Sequence, residues 1–372
     1  MDRRAFLRAT LATPVAYRAG AASPLHPGGP GAPGPLNLIT DVAGLKVGLA
    51  QDIHVRTGLT VILPDQRAPC AVDVRGGGPG TRETDALNGW NLVRSADAIT
   101  LSGGSVYGLA GADGVASVLG AEGRGFELVK QPGVPPSPIV PTAILFDLAN
   151  GGDKNWGLTP PYRAMGIDAV RNAAGGRFPL GTAGAGFGAQ AGSLKGGTGS
   201  ASWRTADGMT VGAIAAVNCL GSVVVPGTRH FWAGAFEVGS EFGGLGPSAA
   251  RVNGEDWGDA KLNPAARANT TIACVATDVA LDPDELKRIA MMAQDGLPRA
   301  IRPVHSPFDG DVVFALSTGR VTLSGSSRAL TVARLGSVAA DVLSRAIARG
   351  VFSATLPPGM MGQTWHDLKE RG

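Results

Sequence analysis

The stretch RANTTIACVATD, residues 267–278, decides how the fold is read. Asn269-Thr270-Thr271 runs straight into an apolar segment where Ile272, Cys274 and Ala276 alternate with Ala273 and Val275. Both faces of that segment are apolar, as a strand buried on both sides requires. A hydroxyl-bearing triplet at the mouth of buried β-structure either makes a polar turn or presents a reactive group. The residues alone leave both readings open.

Further strands are predicted on either side. LTVILPD (59–65) runs into a turn, and CAVDVRGGGPG (70–80) runs into a glycine-rich loop. PTAILFDL (141–148), GMTVGAIAAVNCLGSVVVP (208–226) and GDVVFALST (310–318) follow. Residues 98–123 read as a strand, a Gly-Gly-Ser turn and a helix of small residues that lets neighbours approach closely. TDALNGWNLVRSA (84–96) is predicted helical, with Leu87, Trp90 and Val93 on one side.

A second helix is expected after Asp282 as N-cap, with Pro283 in its first position and Glu285 completing a capping box. The last helix places Leu335, Val338, Ala339, Val342 and Ala346 on one face and is expected to end at Gly350. Strands in groups, with helices between and at the end, predict an α/β fold of sheets covered by helices.

With 44% hydrophobic and 17% charged residues among 372, the chain can bury a substantial core. Its 56 glycines imply many tight turns and close backbone contacts. Four arginines against one aspartate in the first 20 residues account for the whole net charge of +3. The rest is neutral, with no basic stripe interleaved with aromatics, which argues against nucleic acid as a partner. Cys70, Cys219 and Cys274 lie in apolar runs without metal-type spacing, and the five histidines form no HxxxH cluster. Neither a metal nor another cofactor is expected.

The first 23 residues, with Arg3-Arg4 ahead of a weakly apolar run, resemble a twin-arginine export signal; a basic, frayed terminus is the alternative. Export would make the mature chain periplasmic or secreted; without it the chain is cytoplasmic. Residues 24–37 read as a Pro/Gly linker that does not pack, so the folded domain is expected over 38–372. No apolar helix pattern reaches membrane-spanning length, and no membrane partner is expected for the mature form.

A hydroxyl is a weak nucleophile until a base takes its proton. A break between Asn269 and Thr270 would supply that base, because the freed α-amine, with a reference pKa of about 8, reaches its own side-chain oxygen. Two carboxylates in DGD, Asp309 and Asp311, fall on the same side of a strand start, or else mark a polar turn around Gly310. Asn218, inside an apolar run, must find hydrogen-bond partners. Lys195, in SLKGG, reads from the residues alone as a solvated loop lysine.

RGGGPGTRETDAL (75–87), LSGGSVYGLAGADGV (101–115), LKGGTGSAS (194–202), NTTIACVATD (269–278) and HSPFDGDVVFALST (305–318) occur in one order along the chain. Together they resemble the DmpA-like L-aminopeptidase/D-esterase family, which includes β-aminopeptidases. The Asn-Thr-Thr-Ile and Asp-Gly-Asp forms are most similar to its nylon-oligomer hydrolase branch. The resemblance implies a four-layer α/β/β/α sandwich like that of N-terminal-nucleophile hydrolases. It further implies self-cleavage into residues 38–269 and 270–372, which stay associated, and a homo-oligomer, a tetramer of processed protomers.

By the same resemblance Thr270 is the nucleophile, Asn269 precedes the cut, and Asp309 and Asp311 are the acidic pair. Asn218 serves the oxyanion, and Lys195 is the active-site lysine. The Ser102, Gly103 and Gly104 turn and Tyr107 either line the cleft or only form a tight turn. Phe146 stands where several members carry Tyr, which removes a donor near the acyl site and bears on rate and specificity. The reaction implied is hydrolysis of amide or ester bonds in a short peptide or small molecule through an acyl-enzyme. The alternatives are acyl transfer of the ornithine acetyltransferase type and an inactive periplasmic peptide-binding relative.

Overall fold

The computed structural model describes residues 31–261, 269–323 and 327–369. The first strands are β1 (Leu45–Asp52), β2 (Thr57–Pro64), β3 (Ala68–Val74), β4 (Thr81–Arg82), β5 (Ser95–Ala96) and β6 (Ile99–Ser102). Helix α1 (Gly111–Ala121), strand β7 (Thr142–Ile144) and helix α2 (Tyr162–Arg171) follow. A small ribbon of β8 (Gln190–Ala191) and β9 (Leu194–Lys195) leads into β10 (Gly197–Arg204) and β11 (Thr210–Asn218). The chain closes with β12 (Thr270–Val279), α3 (Pro283–Ala293), α4 (Gly296–Ala300), β13 (Val312–Val321) and α5 (Arg328–Phe352).

Two sheets carry the fold, one ordered β10-β11-β12-β13-β3-β5 and the other β1-β2-β6-β7-β4. The period-two alternation of their strands sorts side chains into three cores. Ala273 and Val275 of β12, with Ala213 and Val217 of β11, pack against Leu286 and Ile289 of α3 and Leu335, Leu343 and Ile347 of α5. Their neighbours Ile272, Cys274, Ile214 and Phe314 point the other way, into a second core with Val47, Ile62 and Leu101. Beyond it, Leu59 and Val61 pack on Val115 and Leu119 of α1 and Met165 and Ala169 of α2. Helices, sheet, sheet and helices make four layers, as expected. All three cysteines are free and buried.

The small residues act where layers touch. A Cβ on Gly199 of β10 would lie 1.8 Å from the Ala346 carbonyl of α5. Gly350 also sits against Gly199, so it is a packing glycine within α5 and the helix runs on to Phe352. Of the predicted face of α5, Val338 is only partly buried. The Asp282 capping box forms, the side chain accepting from the Asp284 and Glu285 amides.

Several expectations differ. Residues 84–96 hold one 3-10 turn at Asp85–Leu87 and the short β5, which pairs with β3. Asn88-Gly89 favours a turn over a helix, and Trp90 and Leu92 are exposed. The strand in 141–148 is only Thr142–Ile144, because the chain turns to deliver Phe146 and Asp147 to the site below. The strand in 208–226 stops at Asn218 for the same reason.

Residues 31–37 do pack: Ala32 exchanges backbone hydrogen bonds with Arg204 (2.9 and 2.7 Å) on the open edge of β10. Asn37 is held by Glu241 and Arg345. Ordered structure therefore starts before Leu38, because an edge strand offers unpaired backbone groups that even a Pro/Gly segment can use. The export-signal reading of residues 1–23 lies outside the described residues. No helix among the described residues is long and apolar enough to cross a membrane.

Candidate active site

Thr270 opens β12 and lies directly opposite Asn218, the last residue of β11. The strand's regular pairing thus ends on two polar side chains at one edge of an apolar interior. Asn269 bridges to Asp309, and the Gly310 amide donates to the Asn269 carbonyl at 2.8 Å. The Thr270 hydroxyl also donates to that carbonyl. Gly310 is packed so closely that a Cβ there would stand 2.7 Å from Thr270 Oγ1.

Thr270 is 2% exposed and forms one wall of a cavity of about 290 Å³. The other walls come from residues 78–81, Ser105, Val106 and Leu109, and residues 144–146, so the hydroxyl faces a cavity of mixed polar and apolar lining.

Asn269 is fully buried, yet neither Oδ1 nor Nδ2 has a hydrogen-bond partner among the described residues. Leaving a buried polar group unmet costs about 1–3 kcal/mol, so the peptide before Thr270 sits in an uncomfortable place.

Asp309 and Asp311 divide the labour. Asp311 Oδ1 accepts from the Thr271 amide at 2.7 Å, while Oδ2 meets the His305 amide (3.2 Å) and Nδ1 (2.9 Å). This pins the second residue of β12. Asp309 accepts from the Leu220 amide (3.2 Å) and from the amide and hydroxyl of Ser306 (2.9 and 2.6 Å). Burial, and next the Asp311 charge, hold the Asp309 carboxyl above its ordinary range. A cation arriving beside the pair would be favoured.

Asn218 is gripped from several sides. Its Nδ2 donates to the Phe146 carbonyl at 3.0 Å, and its Oδ1 accepts from the Gln190 amide at 2.9 Å. Lys261 Nζ donates to the Asn218 carbonyl (3.0 Å) and approaches Oδ1 (3.3 Å). Burial lowers the Lys261 amine to about 8, with Cys219 and Asp309 acting in the opposite direction. No spacing or motif in the sequence marks Lys261. His305 and Ser306 lie inside the HSPFDGD motif and were legible only as its context.

Lys195 is buried, not a solvated loop residue. Its ammonium donates to the carbonyls of Gly186, Ala189 and Gly196 at 3.1, 3.0 and 2.7 Å. Burial pushes it down to about 7, with Asp147 opposing. It lines a second cavity, not the one at Thr270.

Ser102, Gly103 and Gly104 form a tight buried turn behind the Thr270 cavity, whose wall begins at Ser105. The Asp147 carboxylate holds this turn through the Gly104 amide (2.7 Å) and the Thr57 hydroxyl (2.7 Å). Gly104 has φ +84°, which favours glycine. Burial raises the Asp147 carboxyl to about 6 against the pull of those donors. Tyr107 is half-exposed and packs edge-on against Trp156, away from the cavity wall. Phe146 does line the cavity, and its carbonyl, not a phenol, faces the Asn218 amide. Among the described residues no His, Cys, Asp or Glu group has the arrangement of a metal site.

The model of peptidase family S58 matches residues 37–365. An uncharacterized aminopeptidase of Mycobacterium tuberculosis is 43% identical over 354 residues, covering 90% of this chain and 98% of the relative. The 6-aminohexanoate-oligomer endohydrolase of a Kocuria strain is 31% identical over 324 residues, 82% of this chain and 84% of its own. Among solved structures, the L-aminopeptidase D-Ala-esterase/amidase of Ochrobactrum anthropi superposes with a TM-score of 0.66 at 21% identity. It covers 89% of this chain and 90% of that one. A Burkholderia β-aminopeptidase gives a TM-score of 0.64 at 22% identity, over 91% and 94% of the two chains. Both likenesses are to the fold described above, a variant of the N-terminal-nucleophile hydrolase fold.

Proposed function

Because the chain belongs to peptidase family S58, and so to hydrolases acting on amide bonds, we propose that it cuts itself before Thr270 and works as an N-terminal-threonine amidase. The observation that carries this reading is the Thr270 hydroxyl resting on the Asn269 carbonyl, at the head of a buried strand and in the wall of a cavity.

In the uncut chain, Thr270 Oγ1 attacks the Asn269 carbonyl carbon while the Gly310 amide holds the carbonyl oxygen. The C–N bond breaks, its nitrogen takes the proton, and water hydrolyses the resulting ester. Asn269 leaves with a carboxylate and Thr270 is left with an α-amine. That amine then serves as the base for its own hydroxyl. It emerges where Asn269 now bridges Asp309, so the raised proton affinity of that carboxyl is met by a neighbouring ammonium.

A substrate carbonyl entering the cavity is attacked by Oγ1, the oxyanion is met by Asn218 Nδ2, and the amine product leaves. Water then frees the acyl group. Peptides with a free amino end and ω-amino acid oligomers are the proposed substrates, in keeping with the named activities of the relatives. Export of the chain and its assembly as a tetramer belong to the same proposal, resting on Arg3-Arg4 and on the family resemblance.

Intact-mass analysis of purified protein tests the reading. Wild type is expected to give a fragment of residues 270–372, and Thr270→Ala a single uncut, inactive chain. A Thr270→Ala chain that still splits, or still hydrolyses amides, refutes it.

A further inference from the structure

His305, in the loop between α4 and β13, has φ +56°. A residue other than glycine in the left-handed region calls for a reason, and His, Asn and Asp are the types found there most often. The bent residue grips one oxygen of the buried Asp311 carboxylate twice. Oδ2 accepts from the His305 amide (3.2 Å) and meets ring Nδ1 (2.9 Å). The other ring nitrogen, Nε2, is buried and has no hydrogen-bond partner among the described residues. The polar engagement of the ring is thus with Asp311.

The second oxygen of Asp311 stands in for a ladder bond. Regular pairing of β12 with β13 begins at Ile272, opposite Val312. One residue earlier the Asp311 carbonyl faces β3, accepting from the amides of Arg75 and Gly76 (3.1 and 3.3 Å). The Thr271 amide meets the Asp311 side chain instead, at Oδ1 (2.7 Å). Ahead of that, the Asn269 carbonyl is held by the Gly310 amide. The proposed cut parts Asn269 from Thr270. It leaves the nucleophile held on the β11 side opposite Asn218, and on the β13 side through its neighbour's amide on Asp311.

We propose that His305 is a positioning residue of the processed enzyme: by fixing Asp311 Oδ2 it aims Oδ1 at the Thr271 amide, and so holds the new chain end in place for attack. Without the ring the carboxylate can turn about its Cβ–Cγ bond, and an error of about 1 Å at a reacting atom can cost on the order of 100-fold in rate. The proposal rests on the amidase reading, since it concerns the chain end that cutting creates. The role falls unequally on the two reactions. In the uncut chain the Asn269–Gly310 bond also locates Thr270, so self-cleavage should depend on His305 less than turnover does. A residue needed only for folding would affect both alike.

The test compares wild type with three variants. His305→Gly keeps the left-handed turn and the backbone amide but has no ring. His305→Asn tolerates the same turn and returns a donor, its Nδ2, near the place of Nδ1. His305→Asp also tolerates the turn but sets a second carboxylate against Asp311. Self-cleavage is followed by mass. On processed protein, kcat and KM are measured with whichever of the 6-aminohexanoate linear trimer and L-alanine p-nitroanilide the wild type cleaves faster. His305→Gly is expected to lose about tenfold in kcat, with KM within about twofold of wild type, and to cut itself no more than about threefold more slowly. His305→Asn is expected to recover most of the kcat. His305→Asp is expected to fall below His305→Gly, and replaces it in the comparison if that variant does not fold. A kcat unmoved in His305→Gly, an equal loss in self-cleavage and turnover, or a kcat no higher in His305→Asn than in His305→Gly overturns the role of His305 and leaves the amidase reading intact. Wild type that cleaves neither itself nor either substrate removes that reading and the role with it.

Discussion

Gly310→Ala isolates the contact on which the proposed self-cleavage depends. Alanine keeps the amide that donates to the Asn269 carbonyl, and Gly310 has no left-handed φ, so the backbone tolerates the change. The new methyl would lie 2.7 Å from Thr270 Oγ1 and 2.9 Å from the Gly78 carbonyl oxygen, against 3.4 Å for ordinary contact. It is trapped between the two, so a shortfall of about 0.7 Å on the threonine side has to be absorbed by moving the hydroxyl. Overpacking of this kind costs roughly 1–3 kcal/mol, and displacement of a reacting atom by about 1 Å can cost on the order of 100-fold in rate. The expected outcome is a folded precursor that cleaves about 100-fold more slowly than wild type. Quantifying the fragment of residues 270–372 by mass over time after purification measures this directly. Cleavage at the wild-type rate would refute the claim that Thr270 reacts from the position it occupies here.

Lys261→Met is expected to lower kcat of the processed enzyme roughly tenfold, because Asn218 then loses the ammonium at its carbonyl and at Oδ1, keeps the Gln190 amide at Oδ1, and spends less time aimed as the proposed oxyanion donor. Steady-state kinetics on fully cleaved protein check this, and an unchanged kcat refutes it. Asp147 holds its proton more tightly folded, near 6, than unfolded, near its ordinary value. Its contribution to stability is therefore present at low pH and lost as pH rises through about 6. Relative to wild type, Asp147→Asn should gain about 1.4 kcal/mol per pH unit between roughly pH 4 and 6 and then level off. Urea unfolding across that range measures the slope.

The strands around the site were legible because their two apolar faces show in the sequence, β12 most clearly. The capping box at Asp282 was legible because it is local. What escaped notice depends on partners far along the chain. β10 is rich in Gly, Ser and Thr, and is a strand because it pairs with β11 and its glycines let α5 lie against it. β1 and α2 fit together through Gly48, where a Cβ would be 1.8 Å from the Ala169 carbonyl, a contact that no window of sequence contains.

The site divides in the same way. Thr270, Asn218, Asp309 and Asp311 come together because strand ends carry them to one edge. Lys261 reaches Asn218 through a loop that leaves no pattern. The Ser102–Gly104 turn reads in sequence as either a cleft wall or only a tight turn, and the buried Asp147 beneath it draws the Gly104 amide inward.

The order of the larger sheet has a consequence for the chain once it is cut as proposed. β12 and β13 follow the cut, yet they lie between β11 and β3, which precede it. The later product is thus held between strands of the earlier one, like a hand clasped between two fingers, and the two could not part without tearing two ladders of main-chain bonds. The nicked enzyme should therefore melt in one transition, its halves parting only when the whole sheet dissolves.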